Sequence, residues 1–158
     1  MPAIQVQTHI QAPISCVFDL ARSIDLHKIS TSHTNEEAIA GVTSGLIGGG
    51  ETVTWRAKHF GVYQKLTSKI TEFDPPYLFV DEMQKGIFKS LRHEHHFESD
   101  EQYATMTDTL VYESPLGPLG KLADWLFLKR YLTKFLKDRN AVVKRVAEGG
   151  EWREVLGG

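Results

Sequence analysis

A chain of 158 residues is the size of one domain, and its formal net charge of -2 with a pI near 6.4 excludes partners that require a basic surface, nucleic acid and anionic membranes among them. Cys16 is the only cysteine, so no intrachain disulfide forms and nothing points to an oxidising compartment. No basic start precedes an apolar run at the N-terminus, and no stretch approaches the ~18 apolar residues of a membrane span; a cytoplasmic protein without stable membrane insertion is expected.

AIQVQTHIQ (3–11) alternates Ile4, Val6, Thr8 and Ile10 with Gln5, Gln7, His9 and Gln11, the period of a half-buried strand that Pro13 ends. Ile14, Val17, Phe18 and Leu20, then Ile24, Leu26 and Ile29, fit two short helices with Ser23 as the N-cap between them. Six strand-like runs follow, at 34–40, 50–59, 62–73, 77–84, 87–98 and 102–113. Short turn signals separate them: Gly48 to Gly50, Gly61, Pro75 with Pro76, Gly86, and Ser99 to Glu101. Connections this short predict antiparallel pairing. GLIGGGE (45–51) has no lysine and no following helix, so it fails as a phosphate loop and reads as a flexible turn suited to gating a cavity mouth.

Pro115 ends the last strand and Pro118 suits the first turn of a helix. From 118 to 147 apolar residues recur at helical spacing without an internal proline, which predicts one helix about 45 Å long. Its basic stretch, FLKRYLTKFLKDR (127–139), is interleaved with apolar residues and reads as a solvated helix face. Residues 1–147 then make a single domain and 148–158 a loose C-terminal tail.

The order β-α-α-β6-α predicts an α+β fold. About seven antiparallel strands twist and curl, and their concave face needs an apolar cover that only the long helix can supply. A sheet wrapped around one amphipathic helix leaves an internal cavity between them. The stretches IQAP (10–13), ITEFDPPYLFVDEM (70–83), GIFKSLRHEHHFE (86–98) and TMTDTLVYESPLGPLGKLAD (105–124) give the same picture. With this order of elements, residues 3–147 resemble the START-like or helix-grip superfamily, also called SRPBCC proteins, which includes the polyketide cyclase/dehydrase and lipid-transport group. The resemblance implies a cavity for a hydrophobic ligand. It implies no particular activity, because carriers, aromatase/cyclases, hydrolases and co-chaperones share the scaffold and no universal catalytic motif carries over.

SLRHEHHFES (90–99) places three histidines within four positions, and strand alternation divides them. Leu91, His93, His95 and Phe97 share the inward face, whereas Arg92, Glu94, His96 and Glu98 face water. On the next strand Ala104, Met106, Leu110 and Tyr112 form the apolar set, with Asp108 among them. Pairing these faces across a turn at 99–101 sets Phe97 by Ala104, His95 by Met106 and His93 by Asp108; a slip of one residue would set an inward face against an outward one. An aspartate beside a histidine fixes its tautomer and stabilises its charged form, as a general acid or base requires. The same pairing is also how a histidine survives burial.

The other strands supply Trp55 and His59, then Gln64 and Leu66, then Phe79 and Met83 flanking Asp81, with the opposite face, Leu78 and Val80, left open as the inward one. Candidate ligand-binding residues are therefore Trp55, His59, Gln64, Leu66, Phe79, Asp81, Met83, Leu91, His95, Met106, Leu110 and Tyr112. Leu122, Trp125, Leu126 and Leu132 of the helix would close the cavity. The candidate catalytic residues are His93 and Asp108. Two histidines at i and i+2 chelate a metal when a third ligand such as His59, Asp81 or Asp108 joins them. Without a cysteine ligand or a glutamate-containing helix motif, no metal and no other cofactor is expected. Cys16 reads as a small buried hydrophobe. Three functions fit: binding of a small hydrophobic or aromatic, lipid- or polyketide-like ligand; a cyclase or dehydratase using His93 oriented by Asp108; and a protein-interaction module whose cavity is filled by its own side chains. A homodimer is left open.

Overall fold

Strict alternation of buried and exposed residues marks β1 (Ala3–Ile10), where Ile4, Val6 and Ile10 are buried. The structure, a computed structural model, describes residues 2–59 and 61–157, and the side chain of Trp125 lies outside the described residues. After β1 come α1 (Ile14–Ala21) and α2 (Ile24–Ser30). Ser23 caps α2 as its spacing predicts, its hydroxyl accepting a 3.1 Å hydrogen bond from the Leu26 N–H. Then follow β2 (Glu37–Gly41), β3 (Thr52–His59), β4 (Val62–Asp74), β5 (Leu78–Lys85), β6 (Ser90–Asp100) and β7 (Tyr103–Glu113). All pairings are antiparallel in one seven-stranded sheet of order β1-β7-β6-β5-β4-β3-β2. Successive strands from β2 to β7 are neighbours, and β1 closes against β7.

One helical stretch runs on from β7: α3 (Gly117–Ala123), a π turn at Asp124–Leu128, and α4 (Lys129–Gly149). Pro118 stands in its first turn. Gly150, with φ +84°, ends it in the left-handed conformation that glycine adopts without strain. This is the α+β helix-grip fold, with a curved sheet gripping a long C-terminal helix. No helix among the described residues is long and apolar enough to cross a membrane.

Phe18 of α1 sits at the centre of the main core, its ring 5.1–5.7 Å from those of Phe73, Phe79 and Phe97, so one short helix is anchored to three strands. Truncating a ring buried this fully costs about 3–5 kcal/mol. Val143, Val146 and Ala147 of α4 close the same core, whereas Leu136 packs with Ile4, Val6, Leu110 and Tyr112 in a second one. Between the two cores the helix and sheet do not meet fully, and the space between them is the cavity.

Three expectations need correction. The tail is not loose: Trp152–Val155 forms a one-turn helix, α5, and Trp152, Val155 and Leu156 pack half-buried against the core at i, i+3 and i+4. The 45–51 turn is not a free gate. Ile47 is buried, and hydrogen bonds pin the segment to Arg22, Ile24 and Ile70. The β6–β7 register is two residues away from the expected one. The turn lies at Glu101 and Gln102, with Glu101 at φ +48°, so His95 pairs with Asp108, Phe97 with Met106 and His93 with Leu110. A two-residue shift keeps every side chain on its face, and for that reason the face assignment survives.

Candidate functional site

A cavity of about 240 Å³ lies between the sheet and α4. The chain's own side chains therefore do not fill it, contrary to the interaction-module reading. Trp55 and His59 of β3, Gln64 and Leu66 of β4, Phe79 and Asp81 of β5 line it. So do Leu91, His93 and His95 of β6, and Leu110 of β7. Both faces of β5 are buried at Phe79 and Val80, which is why its pattern reads ambiguously, but Phe79 and Asp81 are the pair turned to the cavity.

Other candidates lie elsewhere. Met106 is fully buried in the core behind the wall, next to its strand partner Phe97. Tyr112 is also fully buried, and its hydroxyl donates to the Asp124 carboxylate at the π turn. Burial and that carboxylate push the Tyr112 phenol well up from its ordinary range. Met83 is half-buried outside the cavity lining, and its sulfur occupies the space that a Cβ at Gly86 would need. Leu122 and Leu126 are half exposed, so the helix does not close the cavity there. Trp125 lies outside the described side chains. Leu132 lines the cavity as expected, and the helix adds Phe135, Leu136 and Arg139.

The polar wall is built on three adjacent strands. Asp81 of β5 pairs with His93 of β6, and His95 with Asp108 of β7, so both histidines stand between two aspartates. His93 Nε2 donates to Asp108 Oδ1 at 2.8 Å, reaching it diagonally across the ladder. His95 Nε2 donates to Asp81 Oδ2 at 2.7 Å. His95 Nδ1 is also 3.1 Å from Asp108 Oδ1, but at an angle too poor for a hydrogen bond, so that contact is electrostatic. The two imidazoles stack with centroids 3.8 Å apart, and Phe79 stacks on His95 at 4.0 Å. Behind them Asp108, with no exposed surface, accepts a second bond of 2.7 Å from Asn140 Nδ2 of α4. Ser68 Oγ donates to Asp81 Oδ1 at 3.2 Å, and the quarter of the Asp81 side chain that is exposed opens into the cavity.

This packing sets the charges. Burial pushes both carboxyls up, yet the histidines beside Asp81 and Asp108 outweigh it and hold both well below the usual carboxylate range. Burial pushes His93 down, and the adjacent His95 adds to the effect. His95 is also pushed down by burial, but its contacts with Asp108 and Asp81 win and raise it. Of the stacked pair, His95 carries the proton more readily. His93 gives its Nε2–H to Asp108 and turns Nδ1 towards Asp81, 4.0 Å away. At the other end of the cavity His59 Nδ1 meets the Tyr131 hydroxyl at 2.6 Å, and burial lowers the His59 pKa despite Glu36 nearby.

Arg139 and Asn140 are the residues that the strand patterns do not reveal. Arg139 is 6% exposed and lines the cavity, yet it has neither a hydrogen bond nor an ion pair within 4 Å among the described residues; its field acts on Asp81. Both residues fall between Leu136 and Val143 on the buried stripe of α4, so polar residues on an apolar helix face were the available signal.

The profile of the proteins described as "Polyketide cyclase / dehydrase and lipid transport" matches residues 1–148. No curated protein matches the chain. Among solved structures, TTHA0849 from Thermus thermophilus is similar with a TM-score of 0.76 and 17% identity, over 94% of this chain and 99% of that one. Ginseng major latex-like protein 151 from Panax ginseng is similar with a TM-score of 0.64 and 16% identity, over 92% and 97%. A START superfamily protein from Mycobacterium smegmatis is similar with a TM-score of 0.70 and 9% identity, over 93% and 97%. At these identities the likeness is one of fold. With its seven-stranded helix-grip architecture and a profile match over nearly its whole length, the chain belongs to the polyketide cyclase/dehydrase and lipid transport family.

Proposed function

We propose that the protein binds a compact hydrophobic or aromatic molecule in the cavity between the sheet and α4, with the ligand's oxygen atoms against Asp81, His93 and Arg139. The observation that carries this reading is the cavity itself: apolar walls from Trp55, Leu66, Phe79, Leu91 and Leu110 adjoin the buried polar patch of Asp81, His93, His95 and Arg139. Such a contrast orients a ligand by one end while its body is desolvated. A volume of about 240 Å³ lies just below the usual range of roughly 300–1,000 Å³ for ligand pockets, which favours a small ring system over a long two-chain lipid. Arg139 adds donors in need of an acceptor, and the bare Nδ1 of His93 adds an acceptor in need of a donor. The ligand class is therefore an aromatic carrying both hydroxyl and carbonyl groups. The test is native mass spectrometry of gently purified protein, with extraction of any bound molecule, alongside melting curves with 2-naphthol and hydroxynaphthoquinones. A retained molecule or a concentration-dependent rise in Tm supports the reading; an empty protein that no such compound stabilises sinks it.

A second reading, proton transfer of the cyclase or dehydratase kind, has one observation in its favour. His93 is held by the 2.8 Å bond to Asp108 while its other ring nitrogen remains at the cavity wall, the arrangement of an oriented acid or base. If this reading holds, His93→Ala lowers turnover of a polyketide-like substrate by about two to four decades. Pure binding predicts only a modest change in affinity.

A further inference from the structure

We propose that Asp81, His93 and His95 form a site for one first-row divalent ion of the Zn²⁺ or Co²⁺ kind, with Asp108 orienting the His93 imidazole from behind. The three side chains offer donor atoms that all lie within 4.8 Å of one another. Asp81 Oδ2 is the shared point, 2.7 Å from His95 Nε2 and 4.0 Å from His93 Nδ1. Donors about 2.1 Å from a tetrahedral ion stand roughly 3.4 Å apart, so chelation requires the 4.0 Å separation of His93 Nδ1 from Asp81 Oδ2 to close and the 2.7 Å separation of His95 Nε2 from Asp81 Oδ2 to open, each by somewhat over half an ångström.

The arrangement behind the donors is as informative as the donors. Each imidazole turns one nitrogen towards Asp81 and the other towards Asp108 Oδ1, at 2.8 Å for His93 and 3.1 Å for His95. A carboxylate on the far nitrogen is what fixes the tautomer and raises the basicity of a metal-bound histidine. Asp108 accepts a hydrogen bond from His93 and meets His95 through a charge contact alone, and Asn140 holds it in place as Ser68 holds Asp81. The charges agree. Two carboxylates, Asp81 and Asp108, stand against the two imidazoles and the field of one guanidinium, Arg139, reaches Asp81, so the wall holds the anionic groups that a dication needs. A dication takes the place of the proton shared between His95 and Asp81. Two imidazoles and one carboxylate leave coordination positions free, and these open into the cavity, where a ligand oxygen or water completes the shell. Cysteine ligands and helix motifs, whose absence argues against a metal in the sequence, belong to other zinc architectures. Here two neighbouring strands supply the set.

Protein stripped with EDTA and titrated with Co²⁺ is expected to develop a visible d–d band that saturates at one ion per chain, and Zn²⁺ is expected to quench that band and raise Tm. His93→Ala and His95→Ala abolish the band. Asp108→Asn keeps it with affinity weakened about 10–100-fold. His96→Ala, the exposed neighbour, leaves it unchanged. Because replacing His95 or Asp108 removes a buried partner, the titration is also followed on the wild-type chain by imidazole NMR, where the ion shifts His93 and His95 resonances first. A wild-type protein with no band and no Zn²⁺-dependent rise in Tm overturns the proposal. So does a band that survives in folded His93→Ala, or imidazole shifts confined to His9, His33 and His96.

Discussion

Asn140 donates a 2.7 Å hydrogen bond to Asp108, and through it the long helix is tied to β7, next to the sheet edge, by a polar bond set between two apolar cores. Asp108 has no exposed surface, so no water replaces a donor that is removed. Asn140→Ala is expected to destabilise the fold by about 2–3 kcal/mol, the worth of a buried hydrogen bond to a charged group. Asn140→Asp, which sets a second carboxylate against the first, costs more. Urea denaturation of the two variants checks both the size and the order. Wild-type stability in Asn140→Ala would mean that the bond contributes nothing.

Gly120 is a position where space rather than φ demands glycine. A Cβ there would stand 1.7 Å from the Pro115 carbonyl oxygen. Gly120→Ala therefore pushes the first turn of α3 away from the end of β7 and is expected to cost more than about 2 kcal/mol, although alanine is the better helix former. Thermal unfolding measures it, and a neutral or stabilising result contradicts the packing described.

At the β6–β7 turn the strain is conformational. Glu101 holds φ +48°, a region that costs a side chain about 1–2 kcal/mol and glycine almost nothing. Glu101→Gly is expected to leave the register intact and to raise stability by some tenths to about 1 kcal/mol, after the entropy glycine adds to the unfolded chain. For a chain of this length that is a rise in Tm of roughly 2–4 °C per kcal/mol. A lower Tm would show that the Glu101 side chain has a stabilising role there.

Ala57, on the sheet wall, borders the cavity and has no long side chain to displace. Ala57→Phe is expected to fill that space, keep the circular-dichroism spectrum of the wild type, and abolish the rise in Tm that aromatic ligands produce. If ligands still stabilise the filled variant, they bind elsewhere.

The two-residue difference at β6–β7 shows what in this fold was legible. Alternation along β6 and β7 assigned His93, His95 and Asp108 to the inward face, because only one face of each strand meets the core. Register depends on the turn, and Ser99 and Asp100 are the turn-formers of this stretch, so nothing local favoured the tighter turn at Glu101 and Gln102. The His93–Asp108 bond was anticipated but forms diagonally; His95, not His93, lies directly opposite Asp108. The role of Asp81 was half legible, since β5 is buried on both faces at Phe79 and Val80. Arg139 stayed hidden for a different reason. Its charge placed it on the solvated face of α4, although its helical phase with Leu136 and Val143 places it inside.

The π turn at Asp124–Leu128 has a consequence for how this chain tolerates change in length. A π turn houses one residue more than an α turn, so the helix on either side keeps the angular phase it would have without that residue. The segment behaves as an absorbed insertion. Shortening or restoring the chain by one residue there leaves Tyr112 opposite the start of the helix and Arg139 and Asn140 facing the sheet, whereas the same change within α4 would rotate both residues out of the cavity wall.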